Sequence, residues 1–160
     1  MRVIKIITIF CLLIFLLLLG IFTYLYFNST VSIKSITTET TLANKVTLQF
    51  NELTKQIKDN TYTGTIFSET PIEDINEYKF IEYNITLKNQ LRLPLDAISV
   101  NIMPIKGDVI QEYSDKPIHI NANTTQTIQI TLLTKVTNTD QRNMEITYYV
   151  WGKEFKLNNY

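Results

Sequence analysis

The stretch YKFIEYNITLKN, residues 78–89, alternates apolar and polar side chains over most of its length. Over residues 81–88, one side of an extended chain carries only apolar side chains, namely Ile81, Tyr83, Ile85 and Leu87. The other side carries polar ones, namely Glu82, Asn84, Thr86 and Lys88. A period of two with one apolar face is typical of an antiparallel strand that is buried on one side. The stretch therefore predicts a half-buried strand of an antiparallel sheet.

The same period recurs along the C-terminal part of the chain. It is found in AISVNIM (residues 97–103), VIQEY (109–113), IHI (118–120) and TIQITLL (127–133). Segments rich in Asn, Asp, Gly and Pro separate these runs, as expected for turns. Short strands about every ten residues, without a helical period between them, are typical of an all-β sandwich. We therefore predict a mainly β chain whose sandwich domain covers residues 60–160.

The segment ITYYVWGKEFKL, residues 146–157, predicts a closing hairpin with a defined register. If Gly152 and Lys153 form a two-residue turn, glycine stands first, which suits a type II′ turn. Side chains that face each other across such a hairpin share one side of the sheet. This register makes two core pairs, Val150 with Phe155 and Tyr148 with Leu157.

The opposite face of this hairpin carries two large aromatic side chains. The same register places Tyr149 opposite Lys156 and Trp151 opposite Glu154, away from the core. Two interpretations remain open: a helix or neighbouring loop covers both rings, or the rings form a contact surface for a protein or glycan. Because exposed Trp and Tyr are favoured at interfaces, Tyr149 and Trp151 are the candidate partner-binding residues.

The N-terminal segment predicts a membrane span. Residues 6–27 contain no charged side chain, and as a helix they would extend roughly 33 Å, enough to cross a bilayer. A cleaved signal peptide is the alternative, but TVS at residues 30–32 is only a weak match to a small-x-small cleavage site. We therefore expect an uncleaved signal anchor that contacts the lipid bilayer through residues 6–27.

The charges around this span predict its orientation. Arg2 and Lys5 precede it, and the positive-inside rule then places residues 1–5 in the cytoplasm and the C-terminal domain outside the cell membrane. The far end of the span is aromatic, as is typical of a membrane interface, with Tyr24, Tyr26 and Phe27. Cys11, the single cysteine, lies inside the span as a small apolar side chain, so the domain has no disulfide.

Two segments separate the span from the predicted sandwich. Residues 28–40, NSTVSIKSITTET, are rich in Ser and Thr with few large apolar side chains, which indicates a polar stalk.

Residues 41–59 fit two different periods of apolar side chains. Helical spacing relates Leu42, Val46, Phe50, Leu53 and Ile57, whereas a strand would align Val46, Leu48 and Phe50. The absence of Pro and Gly favours an amphipathic helix that packs on the domain or binds a partner.

Three of these segments together resemble a known class of domains. YNITLKNQ (residues 83–90), PLDAISVNIMP (94–104) and NANTTQTIQITL (121–132) are similar to the strand rhythm of bacterial extracytoplasmic immunoglobulin-like sandwich domains. The resemblance covers about residues 78–157. It departs from the class at NANTT, where such domains often have Pro-Gly, and residues 61–75 have no clear counterpart. It implies a sandwich with an adhesion, scaffolding or accessory role, and it transfers no functional residue.

The sequence offers few parts for catalysis or metal binding. His119 is the single histidine and is expected to face outward on a strand, too little for a zinc site or a histidine-dependent triad. The acidic segment ETPIEDINE, residues 69–77, lacks the spacing of a calcium loop and is expected to be a solvated turn. Fifteen basic residues balance fifteen acidic ones, so no nucleic-acid partner is expected. We predict no cofactor.

These observations favour a membrane-anchored extracytoplasmic interaction or scaffold protein rather than an enzyme. Its partner would be a protein or cell-wall material, and the chain would be accessory to a cell-envelope assembly. A wall-active enzyme that uses scattered carboxylates and a ligand-binding sensor ectodomain are the alternatives.

Overall fold

The structure, a computed structural model, describes residues 2–27, 31–68, 72, 74–113, 118–150 and 152–159. Two α-helices lie in these ranges, α1 (Arg2–Phe27) and α2 (Thr47–Lys58). The strands in the same ranges are β1 (Val31–Leu42), β2 (Thr65–Ile66), β3 (Tyr78–Asn89), β4 (Leu95–Ile102), β5 (Asp108–Tyr113), β6 (Ile118–Ile120), β7 (Thr125–Lys135), β8 (Met144–Val150) and β9 (Lys153–Asn159).

The strands form two antiparallel sheets. One has the order β1-β3-β7-β5-β2, and the other has the order β6-β4-β8-β9. If β1, β3, β4, β5, β7, β8 and β9 are lettered A to G, the sheets contain A-B-E-D and C-F-G. These are the two sheets of the seven-stranded immunoglobulin fold. The strand order confirms the predicted immunoglobulin-like antiparallel β-sandwich, with β2 and β6 as additional edge strands.

The alternating side chains of β3 produce the core, as the sequence predicts. Ile81, Tyr83, Ile85 and Leu87 are almost completely buried between the sheets. They pack with the inward side chains of the other sheet, which include Val100 and Ile146. Burying these apolar surfaces on one side of each strand is the main favourable contribution to folding.

Helix α2 covers the outer face of the five-stranded sheet at one end, which confirms the predicted helix. Its buried side chains, Phe50 and Leu53, pack with Phe80 and Leu133 of the sheet. The alternative strand would align Leu48 with Phe50, but Leu48 is 84 % exposed. The helix is shorter than the predicted residues 41–59, because residues 41–42 belong to β1 and a 3-10 turn covers Ala43–Lys45.

The stalk prediction is wrong for residues 31–40, which form most of β1. This strand pairs with β3 from Val31↔Asn89 to Leu42↔Lys79. A strand at the edge of a sheet is stabilised largely by its backbone hydrogen bonds to one neighbour, so it needs few large apolar side chains. The sandwich therefore begins at Val31 rather than at residue 60.

The closing hairpin has a different register from the predicted one. β8 and β9 pair Tyr148 with Phe155 and Val150 with Lys153, so Val150 does not face Phe155. Gly152 has a φ of 77°, a left-handed conformation that glycine adopts readily and that suits the turn immediately after β8. The sides of the strand remain as predicted, because Tyr148 and Val150 are buried and Tyr149 points away from the core.

Helix α1 contains an apolar stretch that the rest of the described chain leaves uncovered. From Val3 to Tyr24 it runs for 22 residues, which is long and apolar enough to cross a membrane. Such a helix at the N-terminus is consistent with a signal anchor or a signal peptide.

Candidate functional site

The two predicted partner-binding residues lie at the β8–β9 hairpin, and the structure describes one of them. Tyr149 is 41 % exposed on the outer face of the four-stranded sheet. Helix α2 packs on the other sheet, so it does not cover this ring. Trp151 lies outside the described residues.

Tyr149 belongs to a polar ladder across β8 and β9. It faces Glu154 rather than the predicted Lys156, and its hydroxyl donates a 2.8 Å hydrogen bond to the Glu154 carboxylate. This hydrogen bond raises the pKa of Tyr149. Lys156 continues the ladder with a 2.9 Å ion pair to Glu145, which raises the pKa of the lysine. Tyr149 is therefore an exposed ring whose orientation is set by its neighbour across the hairpin.

An apolar cleft of about 400 Å³ lies beside Tyr149, at one end of the sandwich. Its walls come from the β3–β4 connection, the start of β4 and the hairpin: Leu91, Leu93, Pro94, Leu95, Ala97, Tyr149, Val150 and Gly152. Ala97 has a φ of 57° where the β4–β6 register shifts, so the first residues of β4 bulge at the cleft. No sequence pattern predicts this cleft, although the run of leucines in QLRLPL (residues 90–95) is unusually apolar for a turn.

Asn89 holds the loop that forms one wall of the cleft. Its side chain is completely buried at the end of β3. The amide nitrogen donates to the carbonyl oxygens of Leu93 at 2.8 Å and Asn121 at 3.1 Å, and the amide oxygen accepts from the Leu91 N–H at 2.9 Å. These bonds tie the loop that follows β3 to the residues that follow β6. The loop is therefore fixed rather than free to close the cleft.

This cleft lies at the end of the sandwich where β1 begins, which we call the tethered end. It comprises Val31, residues 90–94, residues 121–124, Val150 and Lys153. The antiparallel pairings place these residues together, because β1 starts opposite the end of β3 and β8 ends beside the start of β4. The opposite end contains Leu42, α2 and the β7–β8 connection.

The opposite end contains a buried ion pair that the sequence did not suggest. Arg142 donates to the two carboxylate oxygens of Asp108 at 2.9 and 2.7 Å, and both side chains are inaccessible to solvent. Burial alone would raise the pKa of Asp108, but hydrogen bonds from Arg142, the Ile105 N–H and Thr134 leave it lower than usual. Asp108 is therefore held as a carboxylate.

A second ion pair fixes the same β7–β8 connection. Lys79 on β3 contacts Asp140 at 2.5 Å, and Thr40 on β1 donates to the same carboxylate at 2.8 Å. The hydrogen bond from Lys79 is the main reason that the pKa of Asp140 is lowered. Tyr83 donates to the Asp140 carbonyl oxygen at 2.7 Å, and burial raises its pKa to about 12. These polar groups join β1 and β3 of the five-stranded sheet to the connection.

The remaining sequence candidates for chemistry do not assemble into a site in the part of the chain that the structure describes. His119 is exposed, as predicted, and its ring contacts Asn121 at 3.0 Å. Asp74 accepts a hydrogen bond from the Asn76 N–H, and Glu77 forms an exposed ion pair with Lys135. Glu69 and Glu73 lie outside the described residues. Across the described ranges, no group of three or more His, Cys, Asp or Glu side chains could hold a metal ion.

Comparison with known proteins identifies no family. No protein-family profile and no curated protein matches the sequence. Among solved structures, the yeast GGA1 GAE domain–P21 crystal structure has a TM-score of 0.38 at 10 % identity, over 61 % of this chain and 96 % of that one. A protein from Archaeoglobus fulgidus has a TM-score of 0.38 at 9 % identity, over 80 % of this chain and 94 % of that one. The fold assignment rests on the strand order of the chain itself.

Proposed function

We propose that the chain is a membrane-anchored extracytoplasmic interaction or scaffold protein. The observation that carries this proposal is the short connection between an uncovered apolar helix and the edge strand of an immunoglobulin-like sandwich. Helix α1 ends at Phe27 and β1 begins at Val31. A partner bound to the sandwich would therefore be held close to the bilayer.

The position of Val31 supports an anchor that is not cleaved. The weak cleavage motif at residues 30–32 overlaps the start of β1, where Val31 is 3 % exposed and Ser32 pairs with Lys88. Cleavage after Ser32 would remove a core side chain and the first rungs of the β1–β3 ladder. Loss of buried apolar surface and of backbone hydrogen bonds would destabilise the edge of the sandwich.

The orientation follows from Arg2 and Lys5, which precede the apolar segment. The positive-inside rule places them in the cytoplasm and the sandwich outside. Protease added to cells stripped of their wall should then remove the sandwich and spare the first residues. Protection of the sandwich would reverse this orientation.

The two carboxylates with lowered pKa values do not suit acid catalysis, which favours a binding function. A catalytic acid of a glycosidase needs a raised pKa, whereas ion pairs keep Asp108 and Asp140 ionised. At the tethered end, Tyr149 offers an exposed ring beside charged groups, a composition that suits a protein or cell-wall partner. The resemblance to bacterial extracytoplasmic sandwich domains supports an accessory role in a cell-envelope assembly.

Crosslinking in intact cells, followed by recovery of the full chain, tests this function. The double variant Tyr149→Ser, Trp151→Ser should fold but lose the recovered partner, because truncation of an aromatic anchor commonly costs about 2 kcal/mol or more at an interface. Leu48→Ser is the matched control, since Leu48 is an exposed apolar side chain on α2 at the opposite end. A folded double variant that still captures the same partner would exclude this surface and direct attention to α2.

A further inference from the structure

We infer that the tethered end of the sandwich rests on the surface of the bilayer that holds α1, with the tip of the 90–94 loop and Lys153 against the lipid headgroups. This inference rests on the proposed membrane anchor. It adds a second, noncovalent contact with the membrane and fixes which end of the domain faces the lipid.

The length of the connection limits how far the domain can stand from the membrane. Helix α1 has 26 residues, so it extends roughly 39 Å, which matches the hydrocarbon core with part of both headgroup layers. Its last residue, Phe27, would then lie at the headgroup level. Val31 follows four Cα steps later, a distance of at most about 14 Å for any backbone conformation.

The strand directions determine which surface this connection brings to the lipid. Val31 is the first residue of β1, and it pairs with Asn89 at the end of β3. The loop that follows Asn89 and the β8–β9 hairpin therefore lie at the same end as the connection. Leu42, at the other end of β1, is roughly 36 Å away along the strand, so α2 lies on the side remote from the bilayer.

The exposed side chains of the tethered end suit a headgroup layer. Arg92 and Pro94 are exposed at the loop tip, and Leu93 between them is half-buried against the apolar cleft. Lys153 is exposed at the hairpin, with its ammonium group 5.6 Å from the centre of the Phe155 ring. Basic side chains beside apolar ones bind the boundary between anionic headgroups and acyl chains.

The balance of charge at this end has the sign that an anionic bilayer requires. Its residues include the basic Arg92 and Lys153 and no acidic residue, while Lys88, Asp96 and Glu154 lie just outside it in the sequence. Glu154 accepts the hydrogen bond of Tyr149 and lies 3.7 Å from the Lys156 ammonium group. The contact need not be strong, because a short tether gives a local concentration in the millimolar range.

The test uses the full chain in vesicles, with a single tryptophan placed at the tip of the 90–94 loop by Pro94→Trp with Trp151→Phe as the reporter of the tethered end, since Pro94 is exposed. The vesicles contain either phosphatidylcholine alone or equal amounts of phosphatidylcholine and phosphatidylglycerol, with a spin label on the headgroup. We expect the headgroup label to quench the tryptophan at position 94 strongly, more so with phosphatidylglycerol, and acrylamide in the water to quench it weakly. Arg92→Glu should reduce the lipid quenching and leave the melting temperature unchanged, since Arg92 is exposed.

The control moves the tryptophan to the remote end, as Leu48→Trp with Trp151→Phe. Residue 48 should be quenched by acrylamide and not by the lipid label. Equal lipid quenching at positions 48 and 94 in chains that float with the vesicles would overturn the headgroup contact and leave the anchor intact. A chain that does not float with the vesicles would overturn the anchor, and the contact with it.

Discussion

Replacing Arg142 with Met should destabilise the protein strongly, because it leaves a buried carboxylate without its cation. Asp108 would lose two hydrogen bonds of 2.9 and 2.7 Å in a place that solvent does not reach. Removing one member of a buried ion pair typically costs about 3 to 5 kcal/mol. The whole free energy of unfolding of a domain is about 5 to 15 kcal/mol, so this single change would remove a large part of it.

A second substitution should recover much of this loss. Asp108→Asn removes the charge, and the new side-chain oxygen can still accept the hydrogen bond from the Ile105 N–H, which is 2.9 Å from Asp108. The double variant Arg142→Met, Asp108→Asn should therefore cost only about 1 to 2 kcal/mol, comparable to the loss of one or two buried hydrogen bonds. This comparison separates the penalty of an unpaired charge from the contribution of the pair itself.

Urea unfolding of the full chain in detergent measures both free energies. The control is Lys135→Met, which breaks the exposed 3.3 Å ion pair with Glu77 and should cost less than about 1 kcal/mol. If the double variant is less stable than Arg142→Met alone, the buried carboxylate does not depend on Arg142 for its stability.

Three further predictions concern the core, the bulge and the effect of pH. Val150→Ala should lower the free energy of unfolding by about 2 to 3 kcal/mol, whereas Tyr149→Ser should change it little, and equal losses in urea unfolding would contradict the assigned faces of β8. Ala97→Gly should leave the melting temperature unchanged or raise it, because glycine relieves a φ of 57°, and a marked fall would show that the methyl group is needed for packing. Because folding lowers the pKa of Asp108 and Asp140 below the ordinary 3.8, their contribution to stability should be complete above that pH and decline as acid protonates the folded carboxylates. Unfolding free energies measured between pH 3 and 6 check this dependence, and stability that rises on acidification would contradict it.

The alternation of side chains predicts most of the sandwich, because burial on one face of a strand is visible as a period of two. A period of two does not predict β1, because a register shift between Ile33 and Ser35 interrupts the alternation. The apolar residues that pack inward are then Val31, Ile33 and Ile36, a spacing that no single strand template fits. Backbone pairing with β3, which side-chain composition does not report, defines this strand.

The register of the closing hairpin could not be settled by glycine alone, since a two-residue turn accepts glycine at either position. The predicted faces are nevertheless correct. Moving the turn by one residue shifts each residue's partner by two positions, and residues two apart lie on the same side of a strand.

The candidate site is less predictable from the sequence. Asp108 and Arg142 are 34 residues apart in segments whose composition is that of solvated turns, and only the fold brings them together. Asn89 is likewise a polar residue whose burial depends on three backbone carbonyl partners, one in the loop that follows β3 and two at the end of β6 and just after it.

The intact mass of the chain extracted from the membrane fraction tests the central claim most directly, namely that an uncleaved apolar helix holds this sandwich at the membrane. We expect a single species with the mass of the whole chain, 18.6 kDa, beginning at Met1. A mature product that begins near Ile33 would contradict the anchor.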